Sequence, residues 1–343
     1  MSREIQAYQH EICPAGIPDF LTAYLETPAM SRLRGIGLFC GTDYTKLYQH
    51  RYFYSRFDHS VAVALIIWYF TGDKKQTIAG LFHDISTPVF SHSVDYMNGD
   101  ALTQTSTEEK TADMIRNSPE ICSLLMRDGV NVDDVVDYHI YPIADNDSPR
   151  LSADRLEYTF STALVWHNLW IITDIGAMFR DLVIQPNESD EPELCFQSVH
   201  MAELFVHGST AVCKAYQMNE NKMVLSMLGD MLKLGIEIDL FTSDELYYMT
   251  ETQVINRFVN APDVRIRHTW HVFTEMEQVF GSNTKPKGCY SVHVNPKQRY
   301  INPLCLSGGR AVRVSDISDT AKAELNHLLL YQDVPYGYID FRF

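Results

Sequence analysis

Two histidines and two aspartates are the residues of this chain whose types and placement could do metal chemistry. His83 and Asp84 are adjacent at the end of an apolar stretch, AGLFHD. His59 lies 24 residues earlier, and Asp154 lies far downstream in LSADRLEY. Two imidazoles and two carboxylates form a borderline-hard nitrogen and oxygen set. It suits one divalent ion, whether Mn, Fe, Co, Ni, Zn or Mg, with positions left for water and substrate. An ion so held lowers the pKa of a bound water and polarises a phosphoryl oxygen, which is the chemistry of phosphoester hydrolysis. Taken one at a time, these residues have plainer readings. His-Asp dipeptides are common, and an Asp before an Arg on a helix, as in Asp154-Arg155, is often an exposed salt-bridge residue.

Helices must bring these four side chains together. SVAVALIIWYFT, Ser60 to Thr71, is apolar all round and reads as a helix buried on every side, closed by Gly72-Asp73. Lys75 to Asp84 reads as a second helix, stopped by Ser86-Thr87-Pro88. Antiparallel packing of the two would set His59 beside His83. Neighbouring residues on a helix point about 100° apart, but at a helix end the Asp84 carboxylate can reach round to the same ion. The capping-box spacing of Ser106-Thr107-Glu108-Glu109 predicts a helix running to about Arg116, and a longer helix is expected from Leu151 to about His167. His139, in VVDYHIYP, falls near the end of another expected helix.

The pattern changes after Asp181. DLVIQ and ELCFQ flank PNESDEP as a hairpin with an acidic tip. Helices are expected from about Ser198 to Gly235, at Asp263–Phe280 and at Ile317–Leu330. Strands are expected at Cys289–Val294, Ala311–Val314 and Tyr336–Phe341. The fold class is therefore mainly α: a helical catalytic core over residues 1–180, and a mixed α+β C-terminal region over 181–343 packed on that core. No Gly/Ser- or Pro-rich linker marks the junction.

Composition narrows the function. With 45% apolar and 21% charged residues over 343 positions, the chain can bury a large core. Its net charge of −16 and lack of Lys/Arg runs argue against a polymeric nucleic acid as partner. They leave room for a small anion held by a local cation cluster or a metal. Seven scattered cysteines without a CxxC pair fit neither a disulfide framework nor a thiolate zinc site. The longest apolar run, Val61 to Phe70, is too short to span a bilayer. The N-terminus has no apolar signal segment. A reduced, cytoplasmic setting without a membrane partner is expected.

RYFYSRFDHS, GLFHDISTPVFSHSVD and SADRLEY, in that order and at these intervals, resemble the HD superfamily of metal-dependent phosphohydrolases. They look most like its deoxynucleoside triphosphate triphosphohydrolase branch. The likeness covers about residues 30–165. It implies an HD-domain helical core with His59, His83, Asp84 and Asp154 as the ligands of a single metal. It implies Arg56 beside the metal and phosphates, Arg155 on phosphate, and Tyr158 on a sugar. His92 would stand near the leaving oxygen, with Asp95 three residues on to orient it. Two family histidines are replaced, by Thr87 and Thr107. Threonine hydroxyls can hydrogen-bond a phosphate or a water but cannot serve as acid or base near pH 7.

The resemblance thus implies an enzyme acting on a nucleotide or similar small phosphorylated substrate. Two other readings stay open: a nucleotide sensor that keeps the metal without turnover, and a di-iron oxygenase. The second needs further metal ligands, for which His92 and His139 are the candidates. His268 and His271, with Arg265 and Arg267, are expected on a solvated helix face. Lys297-Gln298-Arg299-Tyr300-Ile301-Asn302-Pro303 is similar to a segment of some HD proteins in which the cations reach the active site or an oligomer interface. The high tyrosine content (19) is compatible with a homodimer or higher homo-oligomer.

Overall fold

Helix α4 (Arg56–Thr71) begins on a capping box. Ser55 Oγ accepts the Asp58 backbone N–H at 3.1 Å, while the Ser55 N–H donates to the Asp58 carboxylate at 3.1 Å. The helix therefore starts four residues earlier than the apolar run suggested, and His59 lies in its first turns. It ends at Gly72, left-handed at φ +61°. Asp73 then caps α5 (Lys74–Phe82) by accepting the N–H groups of Lys75 and Gln76. The computed structural model describes residues 3–104, 106 and 108–342.

Ahead of these two lie α1 (Arg3–Ile12), α2 (Asp19–Leu25) and α3 (Pro28–Arg32). After them come α6 (Ser93–Met97), α7 (Thr111–Arg116), α8 (Pro119–Asp128), α9 (Ala153–Val165) and α10 (Ile172–Arg180). The antiparallel pair α4–α5 packs very tightly. A Cβ on Gly80 would lie 2.2 Å from Ile67 Cδ1, so a larger residue there would have to push the end of that side chain aside. The pairing sets the start of α4 beside the end of α5, as antiparallel packing requires.

The second half of the chain alternates helix and strand. A hairpin of β1 (Leu182–Pro186) and β2 (Pro192–Phe196) is followed by α11 (Val199–Gln217), α12 (Asn219–Glu237), α13 (Glu251–Val259) and α14 (Val264–Glu275). Then come β3 (Phe280–Ser282), β4 (Tyr290–Val292), β5 (Leu304–Ser307), β6 (Arg310–Arg313), α15 (Val314–Ile317), α16 (Asp319–Leu330) and β7 (Tyr336–Ile339). The hairpin belongs to a four-stranded sheet ordered β1-β2-β5-β6, in which β2 and β5 run parallel and the other pairs antiparallel. A small antiparallel sheet, β3-β7-β4, closes the chain. One continuous apolar core runs from Ile5 to Phe341. The architecture is mainly α with a mixed α+β C-terminal part.

Several expected boundaries move. No helix opens at Ser106. Thr107 lies outside the described residues, and α7 begins only at Thr111. Ser106 instead gives its backbone N–H to Asp95 at 2.9 Å, a tertiary bond that capping-box spacing does not reveal. The helices expected between Ser198 and Gly235 are two, parted at the extended residue Met218. The helix expected to reach Phe280 stops at Glu275, and Phe280 starts β3. His139 sits in a single 3-10 turn. The helix expected at Ile317–Leu330 breaks at Ser318, which caps α16.

Candidate functional site

His83 is the last residue of the α5 turn, and its Nδ1 lies 2.7 Å from the Gly80 carbonyl. A carbonyl only accepts, so Nδ1 carries the proton and Nε2 presents its lone pair. His59 is fixed in the same sense by a hydrogen bond from Nδ1 to the Glu157 carboxylate. Glu157 is fully buried and also accepts from Tyr54 (2.7 Å) and Tyr8 (3.1 Å). The two Nε2 atoms then face each other at 3.1 Å. Asp154 Oδ1, in the first turn of α9 after the Ser152 cap, is 3.1 Å from His59 Nε2 and 3.6 Å from His83 Nε2. Asp84 Oδ2 is 3.7 and 3.5 Å from the same two nitrogens.

This arrangement calls for a cation. Two imidazole lone pairs and two carboxylates converging without positive charge would repel one another. Ligand bonds of about 2.0–2.2 Å place neighbouring donor atoms about 3.0–3.6 Å apart, close to the spacings seen. His59, His83 and Asp154 form the triad among the described residues able to hold a metal ion. Asp84 faces the same point. In the protein alone, a proton on His59 supplies the charge. Burial lowers its pKa, but Glu157 and Asp154 outweigh burial and bring it up to about 10. Burial raises and the two histidines lower the Asp154 pKa, leaving it at about 2.

Arg56 neutralises the other side. Its guanidinium donates to Asp84 Oδ2 at 2.6 Å and to Ser91 Oγ at 3.2 Å. Although burial opposes it, Arg56 and the two histidines hold the Asp84 carboxyl well below the usual carboxylate range. Thr87 donates its hydroxyl to Asp84 Oδ1 at 2.9 Å. It is fully buried and does not line the cavity. In this structure the Thr87 hydroxyl, expected among the catalytic groups as a donor to a phosphate or a water, is given to a carboxylate. Arg32, which sequence reasoning passed over, donates to the Ile85 and Thr87 carbonyls at 3.1 and 2.8 Å and holds this turn in place.

The triad opens into a cavity of about 220 Å³. His92 lines it, just before α6, with Nδ1 2.9 Å from Asp95 Oδ2. Phe90 and Ser91, at φ +58° and +50°, form the left-handed turn that delivers it. Helix α6 rests on Gly229 of α12, where a Cβ would meet the Met97 backbone nitrogen at 2.8 Å. Burial lowers the His92 pKa, and Arg299 and Arg56 add to this against Asp95. Arg155 and Tyr158 line the wall, with Arg155 donating to Asn146 at 2.6 Å and facing Asp145 at 3.2 Å.

His139 also reaches the cavity, 3.6 Å from Glu108 and 3.5 Å from Asp145. Lys297 and Arg299 arrive from the C-terminal part. By contrast, Arg265 pairs with Asp263 and Arg267 donates to the Pro262 carbonyl, well apart from this cavity. Sequence reasoning missed Glu157, Glu108, Asp145 and Tyr138, whose ring packs 5.1 Å from that of His83. Glu157 had one signal: it stands three residues after Asp154, one helical turn along.

No family model matches the chain. It is 23% identical over 270 residues, 78% of its length, to YdhJ, an uncharacterized protein of Bacillus subtilis (strain 168), of which the match covers 79%. Two solved structures share its architecture. One is a hypothetical protein from Aquifex aeolicus, at a TM-score of 0.63 and 15% identity, with 94% of this chain and 93% of that one covered. The other is a phosphohydrolase from Bacteroides thetaiotaomicron, at a TM-score of 0.60 and 15% identity, with 95% and 96% covered. The chain has the fold of these two proteins. No helix among the described residues is long and apolar enough to cross a membrane.

Proposed function

We propose that the protein is a metal-dependent phosphohydrolase of the HD superfamily, acting on a nucleotide or similar small phosphorylated substrate. The observation that carries this reading is the convergence of His59, His83, Asp84 and Asp154 at one end of a cavity whose walls also carry Arg155, Lys297 and Arg299. That a protein sharing the fold is a phosphohydrolase supports it. The four side chains would hold one divalent ion, which when bound supplies a water of lowered pKa and a Lewis acid for a phosphoryl oxygen.

The chain's own groups do the rest. Arg56 keeps Asp84 ionised and offsets phosphate charge. Arg155 binds a phosphate oxygen, and Tyr158 packs on the organic part of the substrate. His92 is neutral near pH 7, with its Nδ1–H given to Asp95, and presents Nε2 to the cavity. Arriving phosphate charge raises its affinity for a proton, which it then carries to the leaving oxygen. A binding-only sensor is the second reading. It is favoured by Thr87, whose hydroxyl is engaged by Asp84 and cannot replace an imidazole.

Purified protein is to be assayed against nucleoside mono-, di- and triphosphates with Mn, Mg, Co or Ni. Hydrolysis is expected, and His83→Ala plus Asp84→Ala should lower it by at least about a thousandfold, as expected when metal chemistry is lost. Activity retained in the double variant would sink the mechanism. Saturable binding with no product would select the sensor.

A further inference from the structure

Helix α5 ends without the left-handed glycine that closes α4. His83, next in the chain, keeps right-handed geometry at φ −53°. The carbonyls at such a helix end need donors from elsewhere. The Gly80 carbonyl takes the His83 ring N–H, Phe82 takes the Ile85 N–H at 3.0 Å, and Asp84 takes the Thr87 N–H at 2.9 Å. The carbonyls of Ile85 and Thr87 are met from outside the turn, by Arg32 at 3.1 and 2.8 Å. Arg32 is the last residue of α3, and its third bond goes to the Met249 carbonyl at 3.4 Å. The Val89 N–H donates to the Leu246 carbonyl at 2.9 Å, so the 246–249 segment of the C-terminal part lies along the same turn.

Among the described residues the Arg32 guanidinium has three carbonyls and no carboxylate within 4 Å, whereas Arg56 and Arg155 each pair with an aspartate. Burial lowers its pKa to about 10, with Tyr248 and Asp84 acting against burial, so Arg32 stays charged near neutral pH. Asp84 gives this charge its use. A carboxylate just past the C-terminal end of a helix faces the negative end of the helix dipole. Arg56 offsets this in direct contact with Asp84, and Arg32 does so from behind the turn. The planar guanidinium spans the turn and the Met249 carbonyl at once, a grip that a single ammonium does not reproduce.

We infer that Arg32 is a positioning residue of the metal centre, holding His83 and Asp84 in ligand geometry through the backbone that follows them. This rests on the metal site of the proposed function. Arg32 does not line the cavity and would touch neither ion nor substrate. Its action runs through the turn. With the Ile85 and Thr87 carbonyls fixed, the Thr87 hydroxyl stays on Asp84 Oδ1 at 2.9 Å and the His83 ring on the Gly80 carbonyl at 2.7 Å. Without Arg32 the two carbonyls lose their donor, and the turn must rearrange to find another. That rearrangement displaces both ligands that the turn carries.

The test is Mn affinity, by competition with a chromogenic chelator, in Arg32→Met, Arg32→Lys and Arg313→Met protein, with a metal-free melting curve for each. Arg313 is the control for a general loss of stability, since it pairs with Glu193 and Glu188 beside the four-stranded sheet. Arg32→Met should bind Mn about 10–100-fold more weakly than wild type, the range for groups that orient ligands. Arg32→Lys should fall between the two. Arg313→Met should melt lower and keep wild-type affinity. Wild-type affinity in Arg32→Met, or in Arg32→Lys where Arg32→Met does not fold, overturns the inference and leaves the metal reading standing. Equal losses in Arg32→Met and Arg313→Met also overturn it, since lower stability alone then accounts for both. Wild-type protein that binds no Mn overturns the metal site itself, and the inference with it.

Discussion

At the histidine end of the cavity, His59, His83 and Asp84 each have both polar atoms engaged by named neighbours. At the Lys297–Arg299 end, among the described residues, Lys297 has no ion-pair partner and Arg299 has a single neutral acceptor. The first end is buried and rigid, with Glu157, Gly80, Thr87 and Arg56 holding the donor atoms in place before any ion arrives. The second is half-open and under-paired. Preorganised donors suit a permanently held ion, because none of its binding energy goes into ordering the ligands. Under-paired cations suit a ligand that comes and goes. In the proposed function the first end is the part of the site that makes the chemistry.

Substitutions should respect that division. His92 belongs to neither end; in the proposed function it serves the leaving oxygen. His92→Ala should lower turnover by about 10²–10⁴-fold, the usual contribution of a positioned acid or base, without changing metal content; a parallel loss of metal would move His92 into the ligand set. Glu157→Gln keeps the shape of the pocket floor but weakens the acceptor behind His59. It should reduce metal affinity by about 10–100-fold, measured by competition with a chromogenic chelator. Unchanged affinity would mean that Glu157 only packs.

The smallest effect concerns stability and lies behind the site. Glu251 is buried, accepts from the Gly37 N–H (2.9 Å) and the Tyr44 hydroxyl (2.8 Å), and is pushed up to about 8 by burial and by Asp43. The folded state therefore keeps its proton at pH values where the unfolded chain, at the ordinary 4.5, has released it. The resulting stability is fully present below about pH 4.5 and is lost as pH rises through about 8. Melting curves at pH 6 and pH 9 should show a fall of at least about 2 °C in wild-type protein, and a smaller fall in Glu251→Gln. Equal slopes would place the titration elsewhere, for instance on His59.

The sequence was most legible where one helix carries its own instructions. The apolar run of α4, its Gly72 stop and the Asp73 cap of α5 are local signals. From them follows the meeting of His59 with His83. The strand hairpin at 182–196 was legible for the same reason, through alternation and an acidic turn. What could not be read were bonds between distant segments. Ser106 looked like a cap but serves Asp95, and nothing local in the sequence tells that the Thr87 hydroxyl is given to Asp84. Glu157 looked like one more helix residue and is the buried partner of His59. The segment carrying Lys297 and Arg299 was visible only as a faint likeness, since two cations in a coil say nothing of what they face until the loops at 101–104 and 148–149 are folded against them.

The account rests on one ion between His59, His83, Asp84 and Asp154, and the most direct measurement is metal content. Protein purified without added metal or chelator and analysed by plasma mass spectrometry should carry close to one equivalent of a divalent transition metal or magnesium per chain. His83→Ala plus Asp84→Ala protein, folded by its melting curve, should carry almost none. Two equivalents per chain, or the same content in the folded double variant, would contradict it.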